Sequence, residues 1–224
     1  MIIPKAVGTG HPMGDSRFMD LSTPIDGISK LVYVQIPKNA SCWFKHHFMP
    51  ADAYNYYTDG FDSNKHLALV VLRDPVERWI SGIGQYLVGW TPGSKFYIDT
   101  IDWELLTARV VLDDHTQPQS DFVANLSHDD IVWFKCDDNL PNNFIDFMKK
   151  YNINVKLLDE KDDVTNIFNI TKKVQPGSQT VAQQTIVDKI INKLNENPKY
   201  LNRIKEFYQE DYKLYNTVPY YVAR

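Results

Sequence analysis

Three features of the sequence predict an α/β fold with a central, mainly parallel sheet flanked by helices. Short apolar, β-rich runs alternate along the chain with helical patterns. One run, Leu67-Ala-Leu-Val-Val-Leu72, is apolar without a break, as a parallel strand covered on both faces requires. Twice, at Lys38 and again at Arg73, such a run leads into a turn with anion-binding groups and then into a helix.

The elements follow in order. Residues 1–30, rich in Gly, Pro, Asp and Ser, read as an irregular N-terminal arm, and residues 31–224 as a single domain. Leu31 to Ile36 is a buried strand that Pro37 ends. From Ser41 the pattern is helical, with Trp43, Phe44, His47 and Phe48 at three- and four-residue spacings, and Pro50 limits it. Residues 51–65 are a turn-rich aromatic loop. Leu67 to Leu72 is the second strand. Asp74 and Pro75 open the next helix as N-cap and first helical residue, with Glu77 completing an Asp-x-x-Glu box. Residues 91–98 form a loop, Asp99 to Leu112 a helix, and residues 113–121 a polar loop. Asp130 to Lys135 is a third strand, Asn142 to Tyr151 a helix, and Ile153 to Leu158 a short fourth strand. A loop over 165–179 precedes helices at 181–195 and 198–213. There is no repeat and no low-complexity tract.

Composition narrows the function. A chain of 224 residues, 43% apolar and 13% aromatic, supports an ordinary buried core and excludes general disorder. A net charge of -4 argues against a general nucleic-acid binder, though it allows a local basic pocket. Two cysteines, Cys42 and Cys136, do not make a disulfide framework, and a reducing compartment is the simpler expectation. The N-terminus has no signal-peptide pattern, and no run approaches the ~18 apolar residues of a membrane span. A soluble, cytoplasmic protein is therefore expected.

The chemistry lies in the two turns. Pro37-Lys38-Asn39-Ala40-Ser41-Cys42-Trp43 puts one lysine, small residues and a hydroxyl at a helix N-terminus, where backbone N–H groups bind anions. It is not a Walker A loop, because Gly-x-x-x-x-Gly-Lys-Ser/Thr is absent. Arg73 stands at the C-terminal end of a buried strand, where open α/β sheets bind ligands, and Ser81 follows two turns into the helix. A forked guanidinium plus a hydroxyl suits a terminal phosphate. Arg78 is given a structural role, an ion pair with Asp74 at the i, i+4 spacing. Two anion sites in one domain suggest a ligand with phosphate-like groups at both ends.

These residues carry a resemblance. Pro37-Lys-Asn-Ala-Ser-Cys-Trp43 resembles the 5′-phosphosulfate loop of sulfotransferases. Arg73-Asp-Pro-Val-Glu-Arg-Trp-Ile-Ser81 resembles their 3′-phosphate motif, with Arg and Ser eight apart as in that family. The nearest branch is the carbohydrate sulfotransferases of the chondroitin and HNK-1 type. Asp114 to Gln119, Asp130 to Leu140 and Glu206 to Asn216 are similar to later segments of that family, so the likeness runs from about residue 31 to the end. It implies the sulfotransferase version of the P-loop nucleotide-binding fold and the cofactor 3′-phosphoadenosine 5′-phosphosulfate, released as 3′,5′-adenosine diphosphate. Lys38 would touch the bridging oxygen and the 5′-phosphate. Backbone N–H groups of Asn39 to Trp43 would cradle the phosphosulfate, with the Ser41 hydroxyl, and Arg73 and Ser81 would hold the 3′-phosphate. Cys42 departs from the family, which usually has Thr or Ser there; a thiol is a weak donor. The acceptor would be a hydroxyl on a carbohydrate or related small molecule, attacked in line without a covalent enzyme intermediate.

Sulfuryl transfer also needs a base. His66 precedes the strand ending in Arg73, and seven residues of strand put it ~20 Å away at the wrong sheet edge. His46 and His47 lie roughly 7–9 Å down the first helix, where one of them packs on the sheet. His115, beside Asp113 and Asp114, reads either as the base or as an exposed loop or helix-capping histidine; the base is the choice made here, because a neighbouring carboxylate orients the ring and raises its basicity. Tyr54, Tyr56, Tyr57 and Phe61 read as packing or as a sugar platform. Lys172 and Lys173 read as solvated charges in a loop resembling one that closes over the nucleotide. The Asp and His residues have no tight metal-ligand spacing, so no metal is expected. Two alternatives stay open: a non-catalytic nucleotide- or glycan-binding module on the same fold, and a kinase-like phosphoryl transferase. The sequence does not specify the oligomeric state.

Overall fold

A computed structural model describes residues 18–20, 30–41, 43–44, 64, 66–89, 101–151 and 180–223. The readings at Cys42, His46, His47, the 91–98 loop, the strand over 153–158, Lys172 and Lys173 lie outside these residues, as do Tyr54, Tyr56, Tyr57 and Phe61.

The sheet has the order β1-β2-β3-β4, formed by Phe18–Asp20, Lys30–Val34, His66–Leu72 and Ile131–Lys135. Strands β2, β3 and β4 are parallel, and β1 is an antiparallel edge on β2. The expected mixed α/β architecture with a parallel sheet is thus present. The edge strand is a correction: the irregular arm over 1–30 contributes Phe18–Asp20, and β2 begins at Lys30. Three residues are too short a run to carry a period-2 signal, so only pairing with β2 makes them a strand.

Among the described residues there are seven α-helices: α1 (Pro75–Gly89), α2 (Trp103–Arg109), α3 (Gln119–Val123), α4 (Leu140–Lys150), α5 (Thr180–Glu196), α6 (Pro198–Phe207) and α7 (Gln209–Thr217). The backbone is also helical at Ser41, Trp43 and Phe44. Alternation along the strands builds a core on each face. Leu31, Tyr33, Leu69, Val71 and Phe134 pack with Trp43, Phe44 and the apolar stripe of α4. Val32, Val34, Ala68, Val70 and Trp133 pack with Phe122 and Val123 of α3 and with Val218. A third, helical core joins α1, α2, α5 and α6 through Trp79, Ile83, Trp103, Leu106, Ile190 and Ile204. Among the described residues no helix is long and apolar enough to cross a membrane.

Asp74 caps α1 as expected, its carboxylate accepting from Val76 N and Glu77 N at 3.0 Å each. The box with Glu77 is not closed, because the Glu77 carboxylate turns to Arg73 instead. Helix α2 is shorter than the predicted 99–112. Its start is fixed by the Asp102 carboxylate, which accepts from Leu105 N at 3.1 Å. Its end is a tight turn at Val110, where φ 51 and ψ -55 bring Val111 N to Arg109 O at 2.5 Å. That hand of γ-turn is strained, and more so for a β-branched residue. The Trp79 indole holds it by donating to Val110 O at 2.9 Å. The polar stretch read as a loop over 113–121 becomes helical at Gln119, where the Asp211 carboxylate accepts from Gln119 N and Ser120 N at 2.7 and 2.9 Å.

The register sets the functional rim. Val34 pairs with Val70 and Leu72 with Lys135, so β2, β3 and β4 finish at one level. Pro37-Lys38, Arg73-Asp74 and Cys136-Asp137 therefore emerge from the same edge, where open parallel sheets bind ligands. The rim rests on the core beneath it. Phe144 is fully buried, with its ring edge-on to Phe44 at 5.0 Å, Phe134 at 5.8 Å and Trp43 at 5.9 Å. Truncating Phe144 to Ala should destabilise the protein by about 3–5 kcal/mol, read as a lower urea midpoint at unchanged slope.

Candidate anion-binding site at the sheet rim

The turn after β2 is unusually shaped. Lys38 and Ala40 have φ values of 70 and 59, and Asn39 between them does not share that hand. Non-glycine residues resist this region at a cost of roughly 1–2 kcal/mol each. Alternating handedness also makes successive N–H groups converge into a concave anion nest. Asn39 N donates to Ile36 O at 3.2 Å, and Phe44 N donates to Ala40 O at 3.1 Å to open the helix. Ser41 is thus the first helical residue, and its N–H precedes the intrahelical ladder.

Asn39 does more than the backbone role assigned from sequence. Its side chain is fully buried, and Nδ2 donates to Val71 O at 2.8 Å and to Gln119 Oε1. Tyr33 Oη donates to Asn39 O at 3.3 Å. The strained turn is thereby pinned to the end of β3 and to α3. Among the described residues the buried Oδ1 of Asn39 and Oε1 of Gln35 have no hydrogen-bond partner. These are acceptor atoms and would repel an anion, so an anion at this turn would have to meet its N–H side instead. Trp43 is fully buried in the core, so it can offer the cradle only its backbone.

Arg73 meets this turn directly. Its Nη1 donates to Lys38 O at 3.3 Å, and its Nε pairs with the exposed Glu77 carboxylate at 3.4 Å. Lys38 Nζ donates to Gln85 Oε1 at 2.7 Å. Arg73, Glu77, Ser81 and Gln85 recur every fourth residue, so they follow one stripe at the start of and along α1. Ser81 is half-buried on that stripe, between the residue paired with Arg73 and the residue bonded to Lys38. The geometry therefore sets Arg73 against Lys38, with Ser81 on the α1 stripe between Glu77 and Gln85. Gln85 was not picked out from sequence; its place on the Arg73 stripe is the signal that could have found it.

Arg78 departs from expectation. It makes no ion pair with Asp74, whose carboxylate is engaged by the α1 N-terminus and by Tyr212. The guanidinium is 1% exposed and donates only to backbone carbonyls: Nε to Pro37 O at 2.9 Å, Nη2 to Asp114 O at 3.0 Å, and Nη1 to Gln117 O. Burial pulls its pKa down, opposed by Tyr208 and by the carboxylates of Asp211, Asp114 and Asp113. It remains a cation, as arginine does in proteins.

His115 lies in the loop that Arg78 holds. Its Nδ1 is 2.9 Å from Asp114 Oδ1 and 3.0 Å from Asp113 Oδ2. Burial of the ring works against its charge, but hydrogen bonds to Asp113 and Asp114 and the field of both carboxylates win, and the pKa is raised above the ordinary histidine value. Two carboxylates on Nδ1 keep the proton there in the neutral ring and leave Nε2 as the basic atom. The ring oriented by carboxylates that the sequence suggested is present. The same contacts bring ligand atoms of Asp113, Asp114 and His115 within 4.8 Å of one another, and those hydrogen bonds account for the clustering. His66 opens β3, at the far end of that strand from Arg73, and is buried there.

Comparisons of the chain with protein-family models, curated proteins and solved structures give no match.

The raised pKa of His115 has a consequence for stability. A group whose pKa is higher in the folded state stabilises the fold fully below its unfolded value, ~6.5, and loses that contribution as pH rises through the folded value. The stability difference between wild type and His115→Gln should therefore be largest below about pH 6 and shrink on going to pH 9, as measured by urea unfolding across that range.

Proposed function

We propose that this protein is a sulfotransferase that moves a sulfuryl group from 3′-phosphoadenosine 5′-phosphosulfate to a hydroxyl of a carbohydrate or related small acceptor. One observation carries the reading: the two segments that resemble the 5′- and 3′-phosphate motifs touch at one rim, Arg73 Nη1 to Lys38 O at 3.3 Å. A three-stranded parallel sheet with a lysine turn at its C-terminal edge also supports a P-loop-like version of the α/β fold.

The donor set suits a doubly anionic nucleotide. Two cations, Lys38 and Arg73, two hydroxyls, Ser41 and Ser81, and the converging N–H groups of the Lys38–Ala40 turn face the same kind of charge. When bound, the phosphosulfate supplies an activated sulfuryl group and departs as 3′,5′-adenosine diphosphate. In this reading the backbone from Pro37 to Trp43 cradles the 5′ end, with the hydroxyl of Ser41. Lys38 neutralises charge that builds on the leaving phosphate. Arg73 and Ser81 hold the 3′-phosphate, the forked guanidinium giving orientation as well as charge. His115 Nε2 takes the proton of the acceptor hydroxyl, and the Asp113 and Asp114 carboxylates stabilise the imidazolium.

Two measurements test this. The product, 3′,5′-adenosine diphosphate, should raise the melting temperature, whereas ATP with magnesium should not. Lys38→Ala and Arg73→Ala should each weaken that nucleotide about 10–100-fold, the worth of one charged hydrogen bond. In a labelled-sulfate screen over glycans and small alcohols, His115→Ala should lower turnover about 100-fold or more while binding of the bisphosphate is unchanged. Stabilisation by ATP-magnesium alone would point to phosphoryl transfer. Bisphosphate binding with no transfer to any acceptor would point to a binding module.

A further inference from the structure

We infer that Arg78 is a positioning residue that sets the His115 loop against the Lys38 turn. One guanidinium donates to the carbonyl just before Lys38 and to the carbonyls of Asp114 and Gln117, which flank His115. The two segments are thus separated by the width of a single planar group.

Four of the five carbonyls from 113 to 117 accept hydrogen bonds, and the fifth, His115 O, packs on α1. Asp113 O accepts from Thr116 N and Gln117 N at 3.1 and 3.0 Å. Asp114 O and Gln117 O accept from Arg78, and Thr116 O accepts from Tyr208 Oη. His115 O lies against α1, where a Cβ on Gly82 would come within 2.5 Å of it. Gly82 is one helical turn beyond Arg78, so the loop is seated on one stripe of α1 at two successive positions. A loop held by the carbonyls on both sides of His115 has little freedom to carry the ring elsewhere. Proton transfer depends steeply on such placement.

The choice of residue fits this role better than it fits stability. Burying a cation without a directly bonded carboxylate is expensive, and a well-packed apolar side chain would serve the core as well or better. What an apolar side chain cannot do is donate in three directions within one plane. Arginine alone offers that rigid fork, and lysine keeps the charge without it.

The positioning itself does not depend on the sulfotransferase reading; only its effects on turnover and on the response to the bisphosphate rest on that reading. The test uses the full chain with Arg78→Lys and, independently, Gly82→Ala, which leaves Arg78 in place and drives the loop off the helix. The readout is the pH titration of the His115 ring by NMR. The charged and titratable groups around that loop are Asp113, Asp114, Arg78, Tyr86, Asp121, Tyr208 and Asp211, and neither substitution removes a charge from them. A change of midpoint therefore reports geometry. In Arg78→Lys the midpoint should fall toward the ordinary histidine value by about half a unit or more. The stabilisation by 3′,5′-adenosine diphosphate should shrink, and kcat should drop about 10–100-fold. Gly82→Ala should move the midpoint and kcat while leaving the response to the bisphosphate intact, because it disturbs only the loop. A folded Arg78→Lys protein with the wild-type midpoint and wild-type bisphosphate response would overturn the inference. Should that variant not fold, an unchanged midpoint in Gly82→Ala would overturn it. A shifted midpoint in a protein that transfers no sulfate would support the positioning and remove the proposed activity.

Discussion

The side-chain amide of Gln119 completes the sheet where the backbone stops. Its Nε2 donates to Arg73 O at 2.9 Å and its Oε1 accepts from Arg73 N at 3.0 Å, so one amide satisfies both backbone groups of the residue leaving β3. The same Oε1 takes the amide hydrogen of Asn39. The exit of β3 and the turn after β2 are therefore tied through one buried side chain, 1% exposed. Leaving any of these polar groups buried and unmade would cost about 1–3 kcal/mol, so the network holds as a unit or fails as one. The placement of Lys38 relative to Arg73 follows from this joint.

Electrostatics explains why the joint can sit beside a buried guanidinium, that of Arg78. Asp211 is 2% exposed and spends its oxygens on Gln119 N, Ser120 N and Ser120 Oγ. Its charge also opposes the desolvation of Arg78. Tyr208, buried beside them, has its hydroxyl pKa pushed well above the usual tyrosine range by burial, so it stays a neutral donor to Thr116 O. One carboxylate, one guanidinium and one phenol thus share the interior with each other's compensation. None of the three is placed to meet a ligand; they hold the groups that are.

The parallel strands β2, β3 and β4 were legible in the sequence because they are short and apolar, with Pro37 and Asp74-Pro75 marking the ends of the first two; the edge strand Phe18–Asp20 was not. The turn after β2 was legible as a strand end running into a helix, because Pro37 stops the one and the pattern from Ser41 opens the other. Helix ends were less so. Val110 carries no composition cue for a positive φ, since glycine is the usual residue there and valine the least expected. The break between α6 and α7 at Tyr208 was missed because the hydrophobic pattern runs through it; what sets it apart is a hydroxyl that reaches Thr116 across 92 residues. Arg78 was given a local partner by its i, i+4 spacing, yet the partners that won are three carbonyls from distant segments. Periodicity reports what lies along an element. It is silent on side chains, such as Gln85, Gln119 and Asp211, whose partners come from elsewhere in the chain.

That distance along the chain has a consequence for how the rim comes into being. The groups that seat the 113–120 stretch, Tyr208 and Asp211, belong to a segment synthesised some 90 residues later. A nascent chain that has made every described strand and both rim turns still lacks the buttress for the histidine loop. Until those late helices dock, the strained turn at Lys38 and the buried arginine have only part of their support. Contacts so remote in sequence are entropically late to form. The complete rim should therefore arrive in a single step at the close of folding, rather than accumulate as the sheet is laid down.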